Sequence, residues 1–386
     1  MPRATATRPV RARSMAAPVH RPKSARKEHR AAAAGPGATT RFALVLAGGV
    51  ALGAYEAGAY AALHARGLYP DWIAGSSTGA VNGAIIAGSA PEHQVTKLRQ
   101  FWDRASAWSP AGLPHGTWRH AANWLSVART RLWGQPGVFS PLRPWPWTSR
   151  TGLYDNEPLR RTLMRIVDFD RLARAPTRLS ILATDIETGE PVVFDKEAGD
   201  RLTVDHVMAS CGFIPEFPAV EVGGRMLGDG ALWANAPVDL VLRAPRPAGG
   251  LVCLVIDLFP RSSARPDSIE AAAARRWDLI FANQTQVAIE AHQREERLQR
   301  TIAELRSTGD RRRGASAAEA SAPISPLHVL RIAYRAPPDE AGPERQFDFS
   351  RRSVAARWAA GERDVEDLIG RESILRDFHP QTRQGA

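Results

Sequence analysis

Two short apolar segments, each followed by a glycine-rich turn and a helix of small residues, constrain the fold of this chain most. The first segment is Phe42–Ala47, with the turn 48–53 after it, and the second is 71–74, with the turn 75–79 after it. Strand, helix, strand, helix at these lengths predicts a βαβ unit with parallel strands. Because ligands of such sheets bind beyond the carboxyl ends of the strands, we expect both turns to face one site.

The second turn has the pattern G-x-S-x-G, from Gly75 to Gly79. A serine on a sharp strand-to-helix turn projects its hydroxyl away from the backbone, and the flanking glycines let the strand and the helix come close together. The helix that follows directs free N–H groups and the positive end of its dipole at a developing oxyanion. Ser77 is therefore the candidate nucleophile, with Gly75 and Gly79 as supporting residues of the motif.

The first turn contains Gly48, Gly49, Val50 and Gly53. Its pattern, G-G-x-x-x-G, does not fit the G-x-G-x-x-G template of a dinucleotide site, so we rank a nucleotide-binding protein well below the other functions. Two interpretations stay open: exposed backbone N–H groups that form an oxyanion hole, or tight packing of helix on strand. We favour the oxyanion hole, because the serine turn lies one βα unit away.

A serine nucleophile needs a base, and histidine is the usual partner. The chain has 10 histidines, but none lies in a triad-like motif. Asp229 is the better candidate, since it lies between Gly228 and Gly230 just after a short predicted strand, where the backbone can approach another turn. Considered alone, an Asp-Gly pair is more simply a turn signal.

Taken together, G-G-x-x-x-G, then G-x-S-x-G, then D-G-A resembles the patatin-like phospholipases. Residues 183–190 are similar to the middle strand and turn of that family, and residues 209–218 resemble the segment that leads to its acid. Asn235 and Pro237 fit as well. The resemblance covers about 42–260, and extends to about 370 for a bacterial subgroup with a C-terminal extension.

The resemblance implies a three-layer α/β/α sandwich with a mostly parallel central sheet. It also implies a metal-independent lipid acyl hydrolase without a cofactor, in which Ser77 attacks the acyl carbonyl and Asp229 accepts its proton. Backbone N–H groups of Gly48, Gly49 and their neighbours would bind the oxyanion. The family usually has a third glycine and an arginine where this chain has Val50 and Leu52. Acyl-ester hydrolysis is therefore the firmer expectation, and phospholipid specificity is the weaker one.

Two alternatives to this function remain. One is a carboxylesterase or thioesterase that acts on smaller substrates. The other is a catalytically idle lipid-binding protein, which the valine in the first turn leaves open. The expected partner is a lipid or acyl-ester substrate, a peripheral membrane contact is compatible with the sequence, and the oligomeric state is not indicated.

The net charge of +11 does not indicate a nucleic-acid partner, because it is concentrated in a tail. Residues 1–40 contain nine Lys/Arg and one acid, Glu28, which gives +8 and leaves +3 for the other residues. This tail has almost no large apolar residues and lacks the apolar core of a secretory signal. We favour a disordered tail, or a start site placed before the true one, over a transit peptide or an anionic-membrane contact.

The rest of the chain divides into a catalytic domain, 41–260, and a C-terminal extension, 261–386, packed on it. Seven of the 11 tryptophans lie in 101–150, which we interpret as an insertion of short helices and loops. These tryptophans favour a lipid-facing lid and packing on the core equally. In the extension, the pattern predicts a long charged helix over 267–306, a polar linker, a strand over 327–335 and an amphipathic helix over 350–370.

The two cysteines, Cys211 and Cys253, are predicted at a helix start and in a strand. They form no C-x-x-C motif, so neither a zinc nor a redox site is indicated, and a reducing, cytoplasmic compartment is expected. The uncharged stretch 72–91 is long enough to span a bilayer. It contains the serine turn and many small polar residues, and therefore fits a buried strand and helix better.

Overall fold

The structure of the chain is a computed structural model. It describes residues 40–106, 117–141, 152–312, 325–337, 340, 342, 344–376 and 378. The predictions for the basic tail, for most of the polar linker and for parts of the tryptophan-rich segment fall outside these residues.

A central β-sheet dominates the described part of the chain. The strands, in chain order, are β1 Arg41–Leu46, β2 Trp72–Ser76, β3 Ser140–Pro141, β4 Tyr154–Asp155, β5 Arg178–Asp185, β6 Pro191–Asp195, β7 Val220–Val222, β8 Arg225–Asp229, β9 Leu251–Asp257 and β10 Leu327–Ala333. The central sheet has the order β10-β9-β1-β2-β5-β8-β7, with β6 also paired to β5, while β3 and β4 form a separate pair.

The first five strands of that order run parallel to one another, and β6, β7 and β8 are antiparallel to their neighbours. Every residue of β9 is buried, as are the last five of β1. Continuous apolar strands of this kind are expected where helices cover both faces of a parallel sheet. The predicted α/β fold with a mostly parallel central sheet flanked by helices is confirmed.

The helices, in chain order, are α1 Ala54–Ala65, α2 Thr78–Ala87, α3 Gln94–Ser106, α4 Thr117–Trp133, α5 Glu157–Ile166, α6 Phe169–Arg174, α7 Val204–Ala209, α8 Val238–Leu242, α9 Ile269–Arg312, α10 Arg351–Arg371 and α11 Ser373–Arg376. Every residue of α2 is buried. Alanine and glycine make up half of this helix, and their small side chains let it lie close to the sheet on one side and to other helices on the other.

The register of the sheet brings the carboxyl ends of three strands to one level. Leu46 in β1 is paired with Gly75 in β2, and Ser76 in β2 is paired with Leu182 in β5. On the other side of β5, Ala183 is paired with Asp229, the last residue of β8. The first turn, the serine turn and Asp229 are therefore neighbours.

Strands β7 and β8 pair in antiparallel fashion and form a hairpin. Its two turn residues, Gly223 and Gly224, have φ values of 61° and 76°. Two consecutive residues with positive φ are typical of a type I′ turn, whose twist matches that of the flanking strands, and glycine adopts this conformation without steric cost.

The region after residue 260 contributes directly to the central sheet. Strand β10 pairs with β9 in parallel along its whole length. The predicted long helix, late strand and final helix are present as α9, β10 and α10, although α9 extends six residues further than expected, to Arg312.

The described parts of 101–150 are more regular than the short helices and loops expected there. Residues 101–106 complete α3, and α4 is a helix of 17 residues. Arginine, alanine and leucine favour helix here more strongly than the scattered tryptophans disfavour it. Cys211 was expected at a helix start, but it follows the end of α7; both cysteines are free and buried.

Within the described residues, no helix combines the length and the hydropathy that a membrane crossing requires.

Candidate active site

Ser77 occupies the turn between β2 and α2 in a conformation that non-glycine residues rarely adopt. Its φ is 53° and its ψ is −122°, and it is the N-cap of α2. Its side chain is 9% exposed. Such a conformation costs on the order of 1–3 kcal/mol and persists only where the surrounding structure holds it. The turn is thus a strained element with a hydroxyl at the start of a helix.

The two glycines of the motif permit the close approach that this turn requires. A Cβ on Gly79 would lie 2.3 Å from the carbonyl oxygen of Leu46, and a Cβ on Gly75 would lie 2.6 Å from the carbonyl group of Gly79. Neither position has room for a side chain, because strand β1, strand β2 and helix α2 meet there.

Ser210, directly after α7, holds the turn from the other side. The backbone N–H of Ser77 donates to Ser210 Oγ at 2.9 Å, and the Ser210 hydroxyl donates to the carbonyl oxygen of Leu182 at 2.6 Å. The residue lies in a segment that resembles the patatin-like family, but only the fold brings its hydroxyl to the serine turn. Sequence reasoning assigned it no role in the site.

Asp229 lies next to Ser77 and is almost completely buried, with 1% of its surface exposed. The N–H of Ala231 donates to Asp229 Oδ1 at 2.8 Å, and the Ser77 side chain lies close to the same carboxyl group. Burial raises the pKa of Asp229 from the ordinary value of 3.8 to about 7, although the nearby Ser77 side chain and the Ala231 N–H lower it in part. Gly230 follows at the start of a 3₁₀ turn, with β5 too close to leave room for a Cβ.

The first glycine-rich turn faces Ser77, and its N–H groups differ in their partners. The N–H of Gly48 donates to the carbonyl oxygen of Asn235 at 3.0 Å, so it is already engaged. Within the described part of the chain, the N–H groups of Gly49 and Val50 have no acceptor. Both residues line the cavity described below, whereas Gly53 does not.

Val50 is the second non-glycine residue with a positive φ, at 51°. A β-branched side chain is strained in this conformation, so the loop must be held by its neighbours. The Thr78 hydroxyl donates to the carbonyl oxygen of Val50 at 3.1 Å, and the N–H of Leu52 donates to the carbonyl oxygen of Gly49 at 3.0 Å. Since Thr78 directly follows Ser77, the two turns are linked.

A buried polar cluster of Asn82, Glu56 and Trp102 supports this loop from behind. The Asn82 amide nitrogen donates to Glu56 Oε2 at 2.9 Å and to the carbonyl oxygen of Gly53 at 3.0 Å, while Asn82 Oδ1 accepts from Trp102 Nε1 at 3.1 Å. Complete burial raises the pKa of Glu56 well above its ordinary value. The cluster has no local signature in the sequence, because its members lie on three different helices.

An apolar cavity of about 330 Å³ opens onto Ser77 and Asp229. Aromatic side chains from distant parts of the chain form much of its wall: Phe101, Trp102, Phe213, Phe217, Phe259, Trp277, Phe281, Phe347 and Phe349. Four of these belong to α9 or to the segment before α10, so the C-terminal region forms part of the cavity. The size and lining suit an acyl chain.

The tryptophans of 101–150 do not share one environment. Trp102 is buried and lines the cavity, whereas Trp133 is 69% exposed at the end of α4. Trp124 Nε1 donates to Glu270 at the start of α9 at 3.1 Å. The side chains of the other four lie outside the described residues, so the alternatives of a lid and of packing remain open for them.

Within the described part of the chain, neither a histidine nor a metal-binding cluster lies at this site. The described residues that line the cavity include no histidine. Likewise, the described part of the chain holds no group of three or more His, Cys, Asp or Glu residues that could bind a metal ion. Cys211, Glu216 and Glu344 also line the cavity, and Asp229 is the carboxylate among them whose pKa the Ser77 side chain lowers.

Comparison with known proteins assigns the chain to a family. A family model described as patatin-like phospholipase matches residues 44–242, and a second, described as patatin phospholipase (DUF3734), matches residues 279–381. No curated protein matches the chain.

Two solved structures are similar in part. VipD from Legionella pneumophila is 13% identical, with a TM-score of 0.36; the match covers 86% of this chain and 67% of VipD. Full-length ExoU from the type III secretion system of Pseudomonas aeruginosa, solved in complex with SpcU, is 16% identical, with a TM-score of 0.28. That match covers 67% of this chain and 53% of ExoU, so the chain spans about half the length of ExoU.

Proposed function

Because the chain belongs to the patatin-like phospholipase family, we propose that it is a lipid acyl hydrolase. It would cleave fatty-acyl esters with Ser77 as the nucleophile and Asp229 as the base. One observation carries the proposal: Ser77 and the buried carboxyl group of Asp229 line the same apolar cavity, and the Ser77 side chain lies close enough to that carboxyl to lower its pKa. The family supports the hydrolysis of lipid esters, and the geometry supports the assignment of these two residues.

In the first step, Ser77 Oγ attacks the acyl carbonyl carbon and its proton passes to Asp229. The ester C–O bond then breaks, the leaving alcohol takes the proton from Asp229, and the acyl group remains on Ser77. In the second step, water attacks the acyl carbon and gives a proton to Asp229. The fatty acid leaves and Ser77 recovers its proton from Asp229.

The burial of Asp229 favours this use of a carboxylate as base. A carboxyl with an ordinary pKa near 3.8 holds a proton weakly, whereas one with a pKa of about 7 is matched to neutral pH. At about 1.36 kcal/mol for each pKa unit, this difference makes the free energy of proton transfer from Ser77 to Asp229 more favourable by about 4 kcal/mol.

The oxyanion of each tetrahedral intermediate would be bound by backbone N–H groups. We assign Gly49 and Val50 as the donors, because both line the cavity and neither N–H has an acceptor within the described residues. Gly48 contributes close approach to Ser77 instead, since its N–H is engaged by Asn235. The start of α2 adds its dipole to the same region.

A fluorophosphonate probe tests the nucleophile directly. We expect wild-type protein to be labelled and Ser77→Ala to be unlabelled. Ser76→Ala is the matched control, because it removes the hydroxyl of the adjacent residue and should leave labelling intact. An unlabelled wild type would refute the enzyme assignment and favour the idle lipid-binding protein, while labelling that survives Ser77→Ala would refute the nucleophile.

Substrate class is tested with p-nitrophenyl esters from butyrate to palmitate and with phosphatidylcholine vesicles. We expect hydrolysis to be fastest with the longer chains, because the apolar cavity binds them along its length, and fatty acid to be released from the vesicles. A preference for butyrate without release of fatty acid would support the carboxylesterase alternative.

We also propose a peripheral contact with lipid surfaces near the end of α4. Leu132 and Trp133 are 64% and 69% exposed and directly follow Arg131, which lines the cavity. Tryptophan favours the boundary between water and an apolar phase. The double variant Leu132→Ser/Trp133→Ser should bind less to phosphatidylcholine vesicles in a flotation assay and keep its activity on water-dispersed short-chain esters. Unchanged flotation would refute this contact.

A further inference from the structure

Arg357 on α10 is a completely buried arginine, with 0% of its surface exposed. A guanidinium group in such a position is costly unless its N–H groups have good acceptors, because water no longer solvates the charge. Arg357 Nε donates to Glu340 Oε1 at 2.7 Å, and the two side chains form an ion pair. The charge is thus balanced within the C-terminal region.

The remaining N–H groups of Arg357 bind three backbone carbonyls in two different segments. Nη1 donates to Asp348 at 2.8 Å and to Ala51 at 3.2 Å, and Nη2 donates to Arg345 at 2.9 Å. Ala51 lies in the first glycine-rich turn, 306 residues away in the chain. One side chain therefore connects the C-terminal region to the proposed oxyanion loop.

Two planar peptide groups lie between this guanidinium and the N–H of Val50. The carbonyl of Ala51, which accepts from Arg357, shares its peptide group with the N–H of Leu52, which donates to Gly49. The carbonyl of Gly49 in turn shares its peptide group with the N–H of Val50. In a trans peptide the C=O and the N–H point in opposite directions, so the last N–H is directed away from Arg357.

A chain of hydrogen bonds of this kind is strengthened along its length, because each polarised peptide group polarises the next. Here a positive charge lies at one end, and an N–H without an acceptor in the described residues lies at the other, at the cavity. The same guanidinium also holds the carbonyls of Arg345 and Asp348, which flank Phe347 in the cavity wall.

We propose that Arg357 is a positioning residue that fixes and polarises the N–H of Val50 as an oxyanion donor, so that the C-terminal region completes the active site. This inference rests on the proposed hydrolase function. A hydrogen bond from Arg357 to the carbonyl of Ala51 would help to hold the strained backbone of Val50. It would also give a function to the buried guanidinium, since packing alone does not require a charged side chain at this position.

The docking of α10 on α1 has anchors of its own, so variants of Arg357 are expected to fold. Tyr55 Oη donates to Asp364 at 2.6 Å, and Gly58 on α1 lies directly against the backbone of Trp358. Gly361 on α10 lies equally close to the backbone of Tyr55. These contacts do not depend on the guanidinium.

Two variants test the proposal in the full chain. Arg357→Lys keeps the charge but cannot reach Ala51, Asp348, Arg345 and Glu340 together. Arg357→Met/Glu340→Gln removes both members of the ion pair, so no lone charge stays buried. The matched control is Arg246→Met/Glu296→Gln. It removes the ion pair between Arg246, in the segment after α8, and Glu296 on α9, and neither residue lines the cavity.

Three measurements are made on each variant: kcat and KM for a p-nitrophenyl ester, the affinity of a fatty-acyl trifluoromethyl ketone, and the affinity of the corresponding carbinol. The ketone adds to Ser77 and forms an oxyanion, whereas the carbinol cannot. We expect both Arg357 variants to lose about tenfold to a hundredfold in kcat with little change in KM, since loss of a whole oxyanion donor costs about a hundredfold to a thousandfold. Ketone affinity should fall in parallel, and carbinol affinity should not.

An unchanged kcat, an equal loss of ketone and carbinol affinity, or a rise in KM alone would overturn the positioning role. Failure of both Arg357 variants to fold while the control folds would assign Arg357 to the stability of the fold instead. If the wild-type protein shows no hydrolysis that depends on Ser77, the proposed function itself is refuted. This outcome is distinct from a failure of the inference about Arg357, which is tested in protein that does hydrolyse esters.

Discussion

Replacement of Asp229 by asparagine should abolish hydrolysis and, at the same time, stabilise the protein more and more as the pH rises. The carboxyl group is buried, and its pKa is raised from 3.8 to about 7. In the unfolded chain the group ionises near its ordinary value. Between pH 4 and pH 7 the unfolded state therefore loses a proton that the folded state keeps, and the free energy of unfolding of the wild type falls.

The size of the effect follows from the two pKa values. At about 1.36 kcal/mol for each pH unit, the gap between 3.8 and about 7 amounts to about 4 kcal/mol once the carboxyl is ionised in both states. At pH 5 only about 2 kcal/mol of this has been lost. The stability of Asp229→Asn relative to wild type should therefore rise by about 2–3 kcal/mol from pH 5 to pH 8 and then stay constant.

Denaturant unfolding of both proteins at pH 5, 6, 7, 8 and 9 measures this difference. Effects of the amide that do not depend on pH, such as an altered contact with the Ser77 side chain, cancel when the stability difference is compared between pH values. Asp170→Asn is the control, because it makes the same substitution at a carboxyl group that is exposed on α6. A flat difference for Asp229→Asn between pH 5 and pH 8 would refute the claim that this carboxyl is desolvated.

Further predictions concern the same site and its surroundings. In wild-type protein, kcat/KM should rise with pH through about 7 and level off above it, because Asp229 must be ionised to accept a proton; a profile that falls over this range would contradict its use as a base. Ser77→Gly should be more stable than Ser77→Ala by about 0.5–2 kcal/mol in denaturant unfolding, since both lack the hydroxyl and only glycine is free of strain at the positive φ; equal stabilities would argue against a strained turn. Trp277→Ala should shift the optimum of a p-nitrophenyl ester series toward longer chains by enlarging the cavity, and an unchanged optimum would place the acyl chain elsewhere. Gly361→Ala should lower the melting temperature, because its Cβ would lie 2.0 Å from the carbonyl oxygen of Tyr55, whereas Gly370→Ala, with open space around it, should not.

The local sequence was sufficient to predict most regular elements. Apolar runs bounded by glycine-rich turns identified β1, β2 and α2 to within about three residues, because a buried parallel strand must be apolar on both faces. The same reasoning failed for α3 and α4, where tryptophans obscured a helical pattern that neighbouring residues stabilise. It also missed β6, whose short sequence gains its strand conformation from pairing with β5.

At the site, the sequence identified the residue types and the fold determined their state. Gly48 illustrates the difference: its pattern indicated a free backbone donor, but tertiary contact engages that N–H with Asn235. Ser210 and the Asn82 cluster had no local signal, because a hydrogen bond between distant segments leaves no periodic trace in the sequence.

The sequence by itself determined that a serine lies on a glycine-flanked turn after a buried strand, and that an aspartate follows another strand. These are local properties, fixed by the steric and apolar preferences of neighbouring residues. Only the tertiary structure decided that Asp229 is cut off from water, which raises its pKa, and that Arg357 reaches the carbonyl of Ala51 across 306 positions of the chain. Desolvation and long-range hydrogen bonding depend on which groups surround an atom, and that is settled only when the sheet, α1 and α10 pack together.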